Sequence, residues 1–132
     1  MRILLDTNIL ISALLFGGKP RRILQSIINK QYVAVTSPIL LSELADVLRK
    51  KFDYSKQAVE AVDMQIRKQF DLVVPRKTIN ILADIPDNRV LEAAVEGECE
   101  VIITGDAELL ALKSYRTIHI ITPDTFSRMM EN

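Results

Sequence analysis

The sequence RILLDTNILISALLF, at residues 2–16, indicates the fold more directly than any other stretch of the chain. It starts with a short apolar run, which predicts a buried strand that ends before Asp6. The residues from Asn8 to Phe16 are apolar on nearly all sides, which predicts a buried helix that stops at Gly17-Gly18. A continuous apolar strand followed by a buried helix is typical of a parallel sheet that is covered on both faces.

The same alternation of strand and helix continues along the chain. Further strands are predicted at 32–36, 71–74, 100–104 and 118–121, and further helices at about 20–30, 37–51, 55–70, 88–96, 107–113 and from 123 onward. We therefore expect an α/β fold with a five-stranded parallel sheet. The 132 residues show no repeat or linker, so a single domain over residues 1–132 is expected.

The composition excludes several classes of protein. Apolar residues make up 48% and charged residues 26%, which is typical of a globular chain and not of a disordered one. Cys99 is the only cysteine, so no internal disulfide framework or cysteine-built zinc site is expected, and a cytoplasmic location is favoured. No stretch reaches the roughly 20 apolar residues of a membrane span, so no contact with a membrane is expected.

The net charge is zero, which by itself argues against a histone-like nucleic-acid binder, but the charges are unevenly distributed. Residues 1–78 hold 13 basic and 7 acidic side chains, and residues 79–132 hold 4 basic and 10 acidic ones. Two basic clusters stand out: Lys19, Arg21 and Arg22, and then Arg49, Lys50 and Lys51. Each fits either a solvated helix face or a contact with RNA phosphate. Aromatic residues are only 5%, so base stacking is not expected.

Four acidic residues occupy positions of special interest. Asp6 and Asp106 each follow a predicted strand, and Asp87 is predicted to begin a helix. Each of these three also fits the ordinary role of a helix N-cap. Glu43 is predicted to lie beside the apolar stripe of its helix, where a carboxylate needs a cation, a proton or strong hydrogen-bond donors. A structural salt bridge to an arginine is the simpler alternative for Glu43.

These four acidic residues are expected to converge. The carboxyl ends of parallel strands meet at one edge of a sheet, and ligands bind in the crevice there. Four carboxylates in one crevice would repel one another without a cation, and oxygen-only sites suit Mg²⁺ or Mn²⁺. Such ions activate water and bind phosphate oxygens, which is the chemistry of phosphodiester hydrolysis.

The motifs that carry these acids resemble those of the PIN domain family, and most closely its prokaryotic VapC-like toxins. The residues concerned are LLDTN at 4–8, SEL at 42–44, DIPDN at 84–88, VIITGD at 101–106, and ITP at 121–123 followed by Phe126. The resemblance covers essentially the whole chain. It implies a three-layer α/β/α fold and a Mg²⁺- or Mn²⁺-dependent endoribonuclease that is the toxin of a toxin–antitoxin pair. It also implies a small antitoxin partner and a homodimer.

The resemblance also assigns roles to single residues. It implies that Asp6, Glu43, Asp87 and Asp106 hold the metal, and that Thr7, Asn8 and Thr104 orient the carboxylates or the water. In relatives the third motif often reads Asp-Pro-x-Asp-Asn, whereas here Ile85-Pro86 separates Asp84 from Asp87. Both aspartates therefore remain candidates for the third ligand. Asp87 is preferred because it is predicted to begin the helix, while Asp84 falls in an irregular stretch.

Two other functions are compatible with parts of this pattern. A catalytically silent PIN-fold module that binds RNA or protein would keep the fold, although the intact set of four acids argues against it. A phospho-accepting receiver or phosphohydrolase also carries acids at strand ends. A receiver needs an acceptor aspartate on a central strand and a late lysine, and neither Asp6 nor Lys113 fits those positions.

Overall fold

The computed structural model describes residues 1–131. The strands are β1 (Arg2–Leu5), β2 (Val33–Thr36), β3 (Asp71–Leu72), β4 (Val101–Ile103), β5 (Ser114–Tyr115) and β6 (Ile118–Ile121). The helices are α1 (Thr7–Leu15), α2 (Gly18–Ile28), α3 (Pro38–Phe52), α4 (Lys56–Gln69), α5 (Ile85–Glu96), α6 (Ala107–Leu112) and α7 (Pro123–Glu131). None of the helices within residues 1–131 is long and apolar enough to cross a membrane.

The strands form one sheet in the order β3-β2-β1-β4-β6-β5. Five of them run parallel, as the continuous apolar runs predict, and β1 and β4 are the two central ones. β5 is an antiparallel edge strand that pairs with β6 and was not predicted. It contains only two residues, Ser114 and Tyr115, which is too short for a periodic pattern to appear in the sequence.

Helices cover both faces of the sheet, and this confirms the three-layer α/β/α fold. On one face Ile3 and Leu5 of β1 belong to a core that also contains buried residues of α1 to α4 and Phe126 of α7. On the other face Leu4 packs with buried residues of α5 and α6, among them Leu91 and Leu109. Because successive side chains of a strand point to opposite faces, a fully apolar strand supplies both cores.

Local sequence signals set several of the helix ends. The hydroxyl groups of Ser37 and Ser55 accept hydrogen bonds from the backbone N–H of Leu40 and Ala58, so these serines are the N-caps of α3 and α4. At the junction of α1 and α2, Gly17 precedes α2 and Gly18 is its first residue, and their φ angles of 90° and 68° lie in a region that glycine adopts without steric cost. The break that the sequence predicted there is therefore confirmed.

The start of α5 differs from the prediction. The helix begins at Ile85 and not near Asn88, because Pro86 fits the first turn of a helix and does not interrupt it. Asp84 is the N-cap, and its Oδ1 accepts a hydrogen bond from the backbone N–H of Asp87 at 3.2 Å. Asp87 therefore lies inside the first turn of α5, and the expectation that it begins the helix was wrong.

Candidate metal centre

The candidate site lies at the carboxyl ends of β1 and β4, where the strand order reverses. The chain passes from β1 to β2, which pairs with one edge of β1. β4 pairs with the other edge of β1. Leu5 of β1 is in register with Ile103 of β4, and the N–H of Asp6 donates to the carbonyl of Ile103 at 3.0 Å. Open α/β sheets form their ligand crevice at such a switch point.

Asp6 is held in a defined orientation at this point. Its side chain is 7% exposed, and both of its carboxylate oxygens accept hydrogen bonds. The hydroxyl of Thr104 donates to Oδ2 at 2.7 Å, and the N–H of Thr7 donates to Oδ1 at 2.8 Å. Burial raises the pKa of Asp6, and these two hydrogen bonds act in the opposite direction. Asp6 is thus both the N-cap of α1 and a fixed carboxylate at the site.

Thr104 connects two of the predicted acids. It is fully buried, and its oxygen also accepts a hydrogen bond from the N–H of Asp106 at 3.0 Å. Asp106 in turn caps α6, since its Oδ1 accepts a hydrogen bond from the N–H of Leu109 at 3.0 Å. The Thr104 hydroxyl therefore positions the Asp6 carboxylate and the turn that carries Asp106 together.

Glu43 reaches the same crevice from α3. Its side chain is half-buried, and its pKa is raised, first by burial and then by the negative charges of Asp6 and Asp84. The apolar stripe of α3 consists of Leu40, Leu41, Leu44 and Leu48. Ile39 is 55% exposed and does not belong to it, so Glu43 lies at the margin of the buried face. No ion pair within residues 1–131 includes Glu43, so the simple salt bridge is not observed.

Asp84 and Asp87 both lie at the site, together with a third acid that the sequence reasoning missed. Carboxylate oxygens of Asp84, Asp87 and Glu108 lie within 4.8 Å of one another. Glu108 follows Asp106 by two residues in the first turn of α6, and that spacing is the signal that could have identified it. Its Oε1 accepts a hydrogen bond from the N–H of Ala83 at 2.9 Å.

Asp87 has the most perturbed environment of the group. Its side chain is 7% exposed, and its Oδ2 is a buried atom without a hydrogen-bond partner. Burial, followed by the hydrogen bond to Asp106 and the charge of that neighbour, raises the pKa of Asp87 to about 7. An orphaned buried carboxylate oxygen is costly, and a bound cation would satisfy it.

The loop that carries Asp84 is fastened to α5 by side chains of that helix. Asn88 is 1% exposed, and its amide group forms two hydrogen bonds with the backbone of Leu82, at 3.0 and 2.9 Å. Glu92 accepts a hydrogen bond from the N–H of Ile79 at 2.8 Å and pairs with Arg89 at 2.9 Å. Sequence reasoning did not predict these positioning residues, although Asn88 stands in the third motif.

The remaining predicted residues lie outside this group of acids. Asn8 is exposed at the start of α1. In the first basic cluster Lys19 forms a salt bridge with Asp124, and Arg21 donates to the carbonyl groups of Ala13 and Leu14. The other members of the two clusters, Arg22, Arg49, Lys50 and Lys51, are exposed.

The residues present fit a divalent cation. The acidic side chains of the crevice offer carboxylate oxygens, which are ligands that Mg²⁺ and Mn²⁺ prefer. Over residues 1–131, no lysine or arginine forms a salt bridge with Asp6, Glu43, Asp84, Asp87, Asp106 or Glu108. The orphaned Oδ2 of Asp87 adds a buried acceptor that lacks a donor. The fold and site together define an α/β domain with an acidic crevice at its topological switch point.

Comparison with known proteins identifies the family. The family model described as PIN domain matches residues 2–108, and the chain therefore belongs to the PIN domain family. It is also 30% identical, over 119 residues, to uncharacterized protein MJ1680 of Methanocaldococcus jannaschii. That alignment covers 86% of this chain and 76% of the relative.

Two solved structures share the fold at low sequence identity. The structure of VapBC2 from Rickettsia felis, bound to a DNA fragment from their promoter, contains a chain that is 14% identical with a TM-score of 0.60. That match covers 92% of this chain and 98% of the other. VapBC-1 from nontypeable Haemophilus influenzae contains a chain that is 17% identical with a TM-score of 0.60, over 94% and 99% of the two chains. At these identities the likeness shows the fold.

The first prediction concerns the hydroxyl of Thr104. We expect Thr104→Val to lower the free energy of unfolding by about 1–3 kcal/mol at pH 7, because the buried carboxylate of Asp6 then loses a donor. Thr104→Ser keeps the hydroxyl and should retain most of that stability. Denaturant unfolding of the three proteins measures the effect. Equal stability of the Val and Ser variants would show that the hydrogen bond does not stabilise the site.

The second prediction concerns the raised pKa of Asp87. Between the ordinary carboxyl value near 4 and about 7, the folded protein holds a proton on Asp87 that the unfolded chain has released. Stability contributed by this residue is therefore present at low pH and is lost as the pH rises through about 7.

Unfolding with EDTA present, compared between wild type and Asp87→Asn, isolates this effect. We expect wild type to lose free energy of unfolding relative to the variant as the pH rises from 4 to 8. A difference that is the same at every pH would contradict the raised pKa.

Proposed function

We propose that the protein is a Mg²⁺- or Mn²⁺-dependent endoribonuclease. The observation that carries the proposal is the buried Oδ2 of Asp87, which lacks a partner and lies beside the carboxylates of Asp84 and Glu108. Membership of the PIN domain family supports the same activity. The chemistry proposed is hydrolysis of a phosphodiester bond in RNA.

In this proposal the metal ligands are Asp6, Glu43, Asp87 and Asp106. Asp84 and Glu108 lie against Asp87 and are additional acceptors at the same crevice. A divalent ion held by these carboxylates would lower the pKa of a bound water and bind phosphate oxygens. The same positive charge would favour the ionised forms of Asp6, Glu43 and Asp87, whose pKa values are otherwise raised.

The chain's own contribution to the chemistry is positioning. Thr104 and the N–H of Thr7 fix both oxygens of Asp6, so this carboxylate does not need to reorient when a ligand binds. The backbone of α6 fixes Asp106 through its capping hydrogen bond. Asn88 holds the loop before Asp84 against α5. Such a preset arrangement is what a hydrolytic site needs, because the reorganisation is completed during folding.

We also propose that the protein is the cytoplasmic toxin of a toxin–antitoxin pair, that it binds a small antitoxin, and that it forms a homodimer. The fold likeness to VapBC2 and VapBC-1 supports the pair. An open apolar concavity of about 390 Å³ between α2 and α4, lined in part by Leu24, Ile28, Val62 and Ile66, supports a protein partner. A gene for a small protein directly beside this one would support the pair further.

The third prediction tests the proposed activity with Asp6→Asn. Asparagine is also a good N-cap: its single side-chain oxygen can accept the N–H of Thr7 while its NH2 group donates to the hydroxyl oxygen of Thr104, so the variant should fold. We expect purified wild type with Mn²⁺ to cleave single-stranded RNA, and the variant to lose more than about 100-fold of that activity. Even outer partners of metal ligands account for about 10- to 100-fold, and Asp6 is proposed as a direct ligand.

Asp46→Asn is the matched control for this experiment. Asp46 is exposed on α3, the helix that carries Glu43, and its substitution removes the same charge. We expect it to cleave as wild type does. Mn²⁺ should raise the unfolding midpoint of wild type and Asp46→Asn and leave that of Asp6→Asn unchanged. Equal cleavage by wild type and Asp6→Asn would refute the assignment of Asp6 to the catalytic site. If wild type binds RNA but does not cleave it, the result would support the catalytically silent binding module.

A further inference from the structure

Two exposed aromatic side chains meet at the far ends of α1 and α3. Phe16 is the C-cap of α1 and is 72% exposed, and Phe52 is the last residue of α3 and is 36% exposed. Their ring centroids lie 6.2 Å apart with the rings inclined by 65°. Single exposed apolar residues are common on protein surfaces, whereas an exposed aromatic pair offers π-faces to a ligand. The low aromatic content argued against base stacking, but the fold brings two of the few aromatic side chains together at the surface.

The surface beside Phe16 is basic. Phe16 lines an open concavity of about 660 Å³, whose other lining residues are Gly17, Gly18, Lys19, Arg21, Arg22 and Gln25. Two of these cations already have partners: Lys19 forms a salt bridge with Asp124, and Arg21 donates a hydrogen bond to the carbonyl of Ala13 in α1. Arg22 is exposed and takes part in no ion pair of the described chain. Arg22 is therefore the cation of this concavity that is available to a ligand.

The second basic cluster lies beside Phe52. Arg49 stands three residues before Phe52 on α3, so the two side chains are neighbours on one face of the helix. Lys50 and Lys51 are exposed as well, and none of the three cations forms an ion pair within the described residues. The acid Asp53 follows directly, but the cations outnumber it. The contact of the two rings therefore joins two clusters that are far apart in sequence.

Both helices lead from this surface back to the acidic crevice. α1 runs from its N-cap Asp6 to its C-cap Phe16, α3 carries Glu43 and ends at Phe52, and the two helices pack against each other. At 1.5 Å per residue, Phe16 lies about 15 Å along α1 from Asp6. This length corresponds to roughly four nucleotides at the ~3.4 Å spacing of stacked bases.

We infer that Phe16 and Phe52, with Arg22 and Arg49, form a binding surface for single-stranded RNA beyond the metal centre. The rings stack on unpaired bases, and the two arginines contact the flanking phosphates. Stacking on aromatic side chains beside cations is how proteins hold single strands, while the bases of a duplex are not accessible in this way. This inference rests on the proposed function, because it assigns to that ribonuclease a contact with its substrate.

Binding of a labelled 12-nucleotide single-stranded RNA in EDTA tests the surface without cleavage. We expect Phe16→Ala to weaken binding by about 5-fold or more, as expected for the loss of one stacked base. Phe16→Trp should restore binding, and Met64→Ala, at an exposed apolar position on α4, should bind as wild type does. Because Phe16 is largely exposed, its substitution should leave the unfolding midpoint unchanged. Phe52→Ala provides a second, independent variant.

The dependence of binding on salt separates stacking from charge. Arg22→Gln should reduce the slope of log affinity against log salt concentration by about 1, whereas Phe16→Ala should leave the slope unchanged. Lys68→Gln, at the end of α4, is the control for a lost exposed cation. Wild type and Phe16→Ala should bind an RNA duplex of the same length with equal affinity.

Three results would overturn the inference: no binding of the single strand by wild type, binding by Phe16→Ala equal to that by wild type, or an effect of Phe16→Ala only on a bound partner protein. The outcome of this binding experiment can be distinguished from the outcome of the cleavage experiment that tests the proposed function. A Phe16-dependent affinity without cleavage in Mn²⁺ would refute the activity and leave the RNA surface. If cleavage depends on Asp6 but RNA binding does not depend on Phe16, the RNA-binding surface alone would be refuted.

Discussion

The buried hydrogen bond from Thr104 to Asp6 is the interaction on which the candidate site depends. It joins residues that are 98 positions apart in sequence, and it forms only because β1 and β4 pair in parallel with Leu5 beside Ile103. The same threonine oxygen accepts the N–H of Asp106, so the pairing of two strands orients two carboxylates at once. A one-residue shift of the strand register would separate Thr104 from Asp6 and would also turn core side chains to the wrong face.

Gathering acids at one crevice has an electrostatic cost. Burial and mutual repulsion raise the pKa values of Asp6, Glu43 and Asp87, so these carboxyls give up their protons less readily than ordinary ones. Exposed cations that form no ion pair within residues 1–131 lie at the far end of α3, and Arg22 of α2 lies beside the far end of α1. An anionic polymer could therefore cross the surface in one direction, from the basic clusters toward a cation-loaded crevice.

The sequence predicts most of the fold, because largely apolar strands that alternate with helices indicate a parallel sheet covered on both faces. It misses β5, whose two residues show no pattern, and it places the start of α5 too late because Asp84 and the residues after it were assigned to an irregular stretch. The acids of the motifs are predictable since each follows a strand or enters a helix. Glu108, Asn88 and the contact of Phe16 with Phe52 depend on tertiary packing, which spacing in one sequence does not encode.

We propose that the acids at the carboxyl ends of β1 and β4 bind a divalent ion. Anomalous X-ray scattering from crystals soaked in Mn²⁺ would locate such an ion without reference to activity. We expect a manganese peak in contact with Asp6, Asp87 and Asp106. Absence of a peak in this crevice, or manganese bound only at other acids such as Glu96 and Glu98, would contradict the claim.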